Sequence, residues 1–239
     1  MLCQPSVFSH RRVIRAQASL RSRIGFRDRA SLRGRLAVHS SIGLGRAHIA
    51  PLLGDFAQAH TDLELSHLPL HVAGTPYDFA VRVGRLPDSR LHARLLHPNR
   101  RVVCAAPGYL ERREPPRTLP DLADHDCIVI RENDIDFMNW RFGDDGDESV
   151  VRVAGTMISN DGDVATAWCL AGRGMVMRSL WQVAPLLRDG SLVRVLPGIP
   201  APPADIYALH AAVHGLPRRA REAIEHLLDG LAARLPAID

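Results

Sequence analysis

The chain has 239 residues, 46% of them hydrophobic and 5% aromatic, which is enough for one large or two small domains with aliphatic cores. All 30 basic residues are arginine, and this excludes Schiff-base lysines, phosphate-loop lysines and Ser–Lys catalytic pairs. No apolar run approaches the roughly 18 residues of a membrane span, and none follows the first charges as in a secretory signal.

The formal net charge of +4 is unevenly distributed along the chain. Residues 1–35 hold nine arginines and one acid, Asp28, whereas the remainder holds 21 arginines against 25 acids. We expect residues 1–33 to form a disordered basic tail in front of a mildly acidic domain. Such a tail could also bind nucleic-acid phosphates, resemble an organellar transit peptide, or be a vestigial start.

Cysteine usage indicates a reducing compartment. The four cysteines form no Cys-x-x-Cys pair, and three of them lie in apolar strand or helix contexts; they are Cys3, Cys104, Cys127 and Cys169. Buried, reduced thiols are the preferred interpretation. That interpretation agrees with a cytoplasmic protein.

The first half of the domain predicts strands separated by turns and one long helix. Four apolar segments have the length of strands: 36–39, 63–68, 78–83 and 101–105. A helix over about 45–59 joins the first two strands. Pro69 and Pro76 bracket an irregular link, and residues 84–90 have the composition of a turn.

The second half continues the alternation of strands and helices. Its predicted strands are 127–130, 140–142, 150–153, 175–177, 192–196 and 206–213, and its predicted helices are 118–122, the helix capped at Asn160–Asp161, 180–187 and 217–234. In the capped helix, Val164, Trp168 and Leu170 lie near one face, and Gly172 ends it. The acidic turn 143–149 suits a hairpin better than a calcium loop, because a suitably spaced glutamate is missing. The pattern predicts an α/β fold with mainly parallel strands.

Signatures of common enzymes and metal sites are missing from the sequence. There is no Gly-x-Ser-x-Gly, no His-Glu-x-x-His and no phosphate-binding loop with lysine. The Gly43-Leu44-Gly45 turn lacks the third glycine of a dinucleotide loop. Pro69 separates His67 from His71, so the two rings cannot share a helix face as metal ligands. We therefore predict no catalytic residue, no metal and no cofactor.

Seven segments of the sequence follow one another in an order and spacing that is typical of one protein family. The segments are LRGRLAV (32–38), SSIGLGRAHIAPLLGDFAQAHTDLEL (40–65), YDFAVRVGRLPDSRLHARLL (77–96), RRVVCAAPGYL (100–110), RTLPDLADHDCIVIR (117–131), NWRF (139–142) and SNDGDVATAWCLAGRGMVMRSLWQVAPLLRDGSLVRVLP (159–197). In this order and spacing they closely resemble the effector-binding domain of LysR-type transcriptional regulators, and the resemblance covers about 200 of the 239 residues. One small departure is His60-Thr61-Asp62, where the family usually has His-Pro-Asp.

The resemblance implies a two-lobed, periplasmic-binding-protein-like (type II) fold, in which two Rossmann-like subdomains are joined by two crossover strands. The effector-binding domain would cover 34–235. Lobe I would take in about 34–105 and 206–235, and lobe II about 106–205. The winged helix-turn-helix of the family is expected to be missing from this chain.

The turn after the first predicted strand is the leading candidate for a binding site. Ser40 and Ser41, followed by Ile42 and Gly43, place hydroxyls and free helix N–H groups where a carboxylate or phosphate could bind. Plain helix capping without a ligand remains the alternative. The resemblance favours effector binding here, and carries over further wall residues: Cys104, Ala105, Arg131, Asn160, Asp161, Met177 and Ser179.

The function implied by the resemblance is the sensing of a small organic-acid or aromatic-acid effector in the cytoplasm. Relatives pair as antiparallel homodimers through the first long helix and a strand of the opposite lobe. DNA would be reached only through the missing winged helix-turn-helix, and no membrane is involved. The alternative is a solute-binding protein of a transporter, which shares the fold but requires export.

Overall fold

The computed structural model describes residues 32–69, 76–84, 86, 91–131, 138–143, 147–211 and 215–236, which form two five-stranded sheets and a hairpin. The predicted tail falls almost entirely outside the described residues, as do Cys3, the centre of the 69–76 link and most of the 84–90 loop. Of the predicted tail, only Leu32 and Arg33 are described, and Leu32 is already buried in the core of the first lobe.

Lobe I is built on a mixed sheet of five strands. They are β1 (Gly34–Ser40), β2 (Leu63–Pro69), β3 (Phe79–Val83), β4 (Leu91–His97) and β12 (Ile206–Ala211), in the order β2-β1-β3-β12-β4. β1 pairs in parallel with β2 and β3, and β12 runs antiparallel to β3 and β4. The return of the last strand to the first lobe, implied by the resemblance, is therefore observed.

Two helices cover one face of the lobe I sheet. The first, α1, runs through three successive segments, Ile42–Leu44, the wider π-helical Gly45–Ile49, and Ala50–Gln58. The last, α5 (Arg218–Arg234), buries Ala220, Ala223, Ile224, Leu227 and Leu231 at helical spacing. Both pack with the inner side chains of β1 and β3 into one apolar cluster.

Lobe II is built on the second sheet. Its strands are β5 (Arg101–Ala105), β6 (Cys127–Ile130), β9 (Ile158–Ser159), β10 (Met175–Ser179) and β11 (Val193–Val195), in the order β11-β5-β10-β6-β9. The predicted hairpin is formed by β7 (Asn139–Phe142) and β8 (Ser149–Arg152), which pair antiparallel. Helices α3 (Gly162–Leu170) and α4 (Leu180–Arg188) pack on one face, and the hairpin, α2 (Pro107–Leu110) and a 3-10 turn (Pro120–Asp124) on the other.

The predicted boundary between the lobes was wrong by one strand. β4 was not predicted, because four of its seven residues are exposed and its pattern does not alternate cleanly. β4 completes lobe I, whereas β5 pairs antiparallel with β10 and β11 in lobe II. The chain therefore crosses between lobes at residues 98–100, ahead of the expected position near 105.

The predicted apolar face of α3 was wrong at two of its three positions, because only Trp168 packs against the core of lobe II. The helix buries small side chains, Ala165, Thr166 and Cys169, and so lies close to the sheet. Val164 and Leu170 are 39% and 40% exposed. The helix ends as predicted at Gly172, whose φ of 68° places it in the left-handed region that closes helices.

The two crossings between the lobes are tied together at Asn99. Its side-chain Nδ2 donates to the carbonyl of Ala204 at 2.8 Å and to Oγ of Ser179 at 3.2 Å. Its backbone N–H donates to Oδ1 of Asp205 at 2.8 Å. Asn99 is 2% exposed, so these bonds form in a largely water-free position.

A glycine in lobe II offers a test of this packing. A Cβ added at Gly155 would overlap the carbonyl oxygen of Cys127, an atom of β6 that cannot move away cheaply. We expect Gly155→Ala to lower the free energy of unfolding by about 1–3 kcal/mol, measured by urea denaturation. The matched control is Gly198→Ala, because nothing lies within 4 Å of a Cβ there. Equal stability of the two variants would contradict the packing.

Candidate functional site

Three helices from the two lobes begin at the same place, the cleft between the lobes. α1 begins in lobe I directly after β1, and α3 and α4 begin in lobe II after β9 and β10. A Cβ at Gly43 of α1 would lie 4.0 Å from Cη2 of Trp181 in α4. The rings of His48 and Trp181 meet edge-on with centroids 5.3 Å apart.

An ion pair crosses the cleft, and a third residue donates a hydrogen bond to it. The guanidinium of Arg46 on α1 pairs with Oδ2 of Asp163 in the first turn of α3. The side-chain Nε2 of Gln182 on α4 donates to the other oxygen of that carboxylate. The Arg46 and Asp163 side chains are 59% and 44% exposed, so the pair contributes at most about 1 kcal/mol to the contact between the lobes.

Three buried polar atoms beside this ion pair have no hydrogen-bond partner within the described part of the chain. They are Nδ1 of His48, Nε1 of Trp181 and Oε1 of Gln182. Buried polar groups in proteins are nearly always hydrogen-bonded to protein or water. The cleft therefore has hydrogen-bonding capacity that these residues do not satisfy among themselves. We call Arg46, His48, Asp163, Trp181 and Gln182 the interlobe cluster.

The two serines of the predicted turn have different surroundings. Ser40 is fully buried, and its Oγ lies 2.8 Å from Nε2 of His67 and close beneath Gly45. Ser41 is the N-cap residue of α1, with β-region backbone, and its side chain makes no capping hydrogen bond. Ser41, Ile42 and Gly43 are half-buried beside the cleft. Ser41 rather than Ser40 therefore has a hydroxyl available to a ligand.

Comparison with known proteins identifies the family. A family model described as the LysR substrate binding domain matches residues 29–232. The chain belongs to this family. As a LysR substrate-binding domain it has the two-lobed, periplasmic-binding-protein-like type II fold that the resemblance implied.

Relatives at the sequence level are bacterial transcriptional regulators. The HTH-type transcriptional activator TtdR of Escherichia coli K12 is 35% identical over 182 residues, which are 74% of this chain and 58% of TtdR. The HTH-type transcriptional regulator DmlR of the same strain is 32% identical over 207 residues, which are 85% of this chain and 67% of DmlR. The chain thus spans 58% of the length of TtdR.

Similar solved structures are also LysR-type regulators. CrgA from Neisseria meningitidis superposes with a TM-score of 0.72 at 24% identity, over 92% of this chain and 76% of CrgA. The regulatory domain of AphB in Vibrio vulnificus superposes with a TM-score of 0.63 at 25% identity, over 83% of this chain and 99% of that domain.

Two of the predicted wall residues lie away from the cleft of this LysR domain. Cys104 and Ala105 are both fully buried, in the apolar clusters on opposite faces of the lobe II sheet. The reason is the misplaced boundary. Because β5 belongs to lobe II, its beginning at Arg101, opposite Ser179, lies at the crossing between the lobes, and its end lies deep in the lobe.

The remaining predicted residues follow lobe II strands and have mixed roles. Asp161 caps α3, since its carboxylate accepts the N–H of Asp163 at 2.8 Å, and Asn160 next to it is exposed. Arg131 is exposed at the end of β6. Met177 packs half-buried on a core cluster, and Ser179 is bonded to Asn99. Of these five, Asp161 and Ser179 lie beside residues of the cleft.

Sequence reasoning missed the interlobe cluster. Arg46 and Asp163 stand within the quoted motifs, but nothing in their local pattern indicates that they meet across two lobes. From the sequence, His67 was considered only as a metal ligand, whereas its ring is hydrogen-bonded to the buried Ser40. Within the described residues, no group of three or more potential metal ligands occurs. Likewise, none of the described helices has the length and hydropathy of a membrane span.

Three histidines around the start of α1 are held in the neutral form. Burial lowers the pKa of His39, His48 and His67. The positive charge of Arg234 lowers the pKa of His48 further, and repulsion from His39 in its protonated form lowers that of His67. Nε2 of His39 is buried and has no partner among the described residues. Neutral imidazoles leave the region beneath α1 without added positive charge at neutral pH.

This arrangement predicts a loss of stability in mild acid. The folded-state pKa values lie below the ordinary value of 6.5, so the unfolded chain takes up protons first as pH falls. Stability is therefore complete above about pH 6.5 and declines as pH falls through 6.5 towards the folded-state pKa values. We expect the urea midpoint to decrease between pH 7.5 and 5.5, and to decrease less in His67→Gln. The exposed His92→Gln is the matched control, and a His67→Gln profile identical to wild type would contradict the assignment.

Proposed function

We propose that this chain senses a small organic acid between its lobes and transmits binding to a DNA-binding domain as the regulatory part of a LysR-type regulator. One observation carries the acid assignment: the N-termini of α1, α3 and α4 converge on one cleft, with the Arg46 guanidinium between them. Helix N-termini present unpaired N–H groups and partial positive charge, which favour an anionic ligand.

The first turn of α1 is the most suitable contact for the acid. It contains no acidic residue, and the side chain of its N-cap, Ser41, makes no capping bond. The starts of α3 and α4 complete the opposite wall, where the indole of Trp181 supplies an apolar surface. This combination suits a ligand with a carboxylate at one end and an apolar or aromatic body.

Effector binding would act through the relative position of the lobes. Each lobe has its own apolar core, while the Arg46–Asp163 pair across the cleft is polar and partly exposed. A ligand that binds both walls favours the lobe arrangement it fits best. Asn99 and Asp205, at the two crossings, are the positions about which the lobes would turn.

The regulatory role is supported by the relatives. TtdR and DmlR are HTH-type regulators of which this chain matches 58% and 67%. DNA contact, promoter choice and the cytoplasmic location that transcription control requires are therefore part of the proposal. A separate winged helix-turn-helix, rather than either lobe, would bind the DNA.

We further propose an antiparallel homodimer that uses α1 and an edge strand of the partner's lobe II. Residues Pro51, Asp55 and Gln58 on the outer side of α1 are exposed. β9 is an edge strand of lobe II, and Ile158 on it is 45% exposed. An exposed apolar side chain at a sheet edge is suited to burial in a symmetric interface.

The acid assignment predicts selective thermal stabilisation. Benzoate, salicylate, succinate and pyruvate at millimolar concentration are suitable probes in a thermal-shift measurement. We expect at least one of them to raise the melting midpoint, because a ligand that binds only the folded state stabilises it by mass action. Ser41→Ala should reduce the gain, since it removes a hydroxyl at the start of α1.

Ser191→Ala, an exposed serine in the turn before β11, is the control and should keep the wild-type gain. If no acid raises the wild-type midpoint, the acid-sensing proposal is wrong. An undiminished gain in Ser41→Ala would remove that serine from the site.

The dimer can be tested at β9. We expect Ile158→Arg to weaken self-association at least tenfold, because the substitution places an unpaired charge in the interface. Analytical ultracentrifugation across a concentration series measures this. Val150→Arg, on the hairpin and 49% exposed, is the matched control. A dimer that is unaffected by Ile158→Arg would exclude β9 from the interface.

A further inference from the structure

We infer that Arg46 is the cation that binds the effector carboxylate, and that Asp163 occupies Arg46 as an internal substitute until the effector displaces it. This inference rests on the proposed acid-sensing function and deepens it. It takes the place of Arg131, the one cationic residue among the predicted wall residues.

The position of Arg46 in α1 fixes where its charge is presented. Its neighbours Leu44, Gly45 and Ile49 are buried, so the helix is anchored on the lobe I core on both sides of Arg46. The Arg46 side chain extends away from that core to the first turn of α3 in lobe II. It therefore reaches across the cleft at the point where the helices begin.

The Asp163 carboxylate keeps other favourable interactions when its ion pair with Arg46 is broken. When Arg46 leaves, the carboxylate keeps the hydrogen bond from Nε2 of Gln182 and its position in the first turn of α3, where negative charge is favourable. Ion pairs as exposed as this one are weak, because water screens them. A ligand carboxylate that also makes apolar contacts can therefore compete for the guanidinium.

The Arg46–Asp163 pair differs from other ion pairs of the domain in the lobes that it joins. Three comparison pairs each join residues of a single lobe: Arg94–Glu225, Arg218–Glu222 and Arg141–Glu148. Arg46–Asp163 joins the two lobes. Exchange of its partner would replace a direct link between the lobes by one that passes through the ligand.

Arg131 is a weaker candidate on structural grounds. It lies at the end of β6, where its backbone N–H donates to the carbonyl of Ser159 and its side chain is exposed. Arg46, in contrast, pairs with the carboxylate that Gln182 also bonds, and the buried Oε1 of Gln182 has no hydrogen-bond partner among the described residues. A ligand held by Arg46 would therefore meet hydrogen-bonding groups that lack partners.

The chemical consequence is discrimination between acids and amides. A neutral amide has no charge with which to displace the Asp163 carboxylate, whereas a carboxylic acid of the same shape does. Matched pairs of probes, benzoate with benzamide and succinate with succinamide, isolate the contribution of the ligand's negative charge to its affinity. Their affinities for the whole chain can be measured by isothermal titration calorimetry.

Three variants test the inference. Arg46→Gln should weaken the binding of an acid roughly tenfold to a hundredfold and leave amide binding unchanged. Asp163→Asn should tighten acid binding by up to about fivefold, because it removes the internal competitor and keeps the shape. Arg94→Gln, which breaks an exposed pair within lobe I, is the control and should match wild type for both probes.

The outcomes separate this inference from the proposed function. If the wild type binds an acid and Arg46→Gln binds it equally well, Arg46 is not the anchor, but the acid-sensing function stands. Weaker acid binding by Asp163→Asn would show that Asp163 holds Arg46 in a binding geometry instead of competing, and would overturn its role as a substitute. If no acid binds either the wild type or Asp163→Asn, both proposals are wrong. Binding to Asp163→Asn alone would also overturn both proposals, because a sensor must bind its effector with Asp163 in place.

Discussion

The hydrogen bonds of Asn99 are the constraint on which the arrangement of this domain depends. One buried side chain and its backbone N–H link the first crossing between the lobes to Ala204 and Asp205 on the second. The N–H of Leu180, where β10 passes into α4, donates to the carbonyl of Arg100 at 2.8 Å. Because the two crossings and the start of α4 are joined, the strand ends of both lobes face one another. The shared cleft follows from that geometry.

The distribution of apolar contacts explains how the lobes can be rigid and still move. Burial in each lobe is concentrated in clusters made of its own sheet and helices, which resist deformation because protein interiors are closely packed. Between the lobes, the indole of Trp181 packs on the lobe I cluster. The Arg46–Asp163 ion pair is a polar and partly exposed contact between them. Interfaces of this kind between domains normally allow relative motion.

Local patterns in the sequence were sufficient to predict most of the fold, but not most of the site. Helix α5, with five apolar residues at helical spacing, and β6, a continuous apolar run, were predicted nearly to the residue. β4 was missed because an edge strand carries many exposed residues, and that omission moved the lobe boundary. Because of that error, Cys104 and Ala105 were predicted to line the cleft, although both are buried in lobe II.

The site was harder to predict because its members come together only through tertiary structure. The turn at Ser41 could be proposed from the sequence, because a strand end followed by a helix start has a local signature. Arg46 and Asp163 lie 117 positions apart in the sequence and belong to different lobes. Nothing within either segment specifies their partner. Their contact depends on the hinge geometry, which in turn depends on pairing between strands that are distant in sequence.

An internal carboxylate at the anchoring cation also bears on selectivity. An unoccupied guanidinium at three helix N-termini would attract any small anion, because both the charge and the free N–H groups are unspecific. With Asp163 in place, an incoming anion must replace a carboxylate of similar strength, so charge alone gives little net gain. The net free energy of binding must therefore come from contacts that Asp163 cannot make. These are contacts with the indole face of Trp181 and with the buried polar atoms next to it. Neutral histidines beneath α1 add no competing positive charge there. The cleft thus favours anions whose body fits it over anions in general, as a sensor of one metabolite class requires.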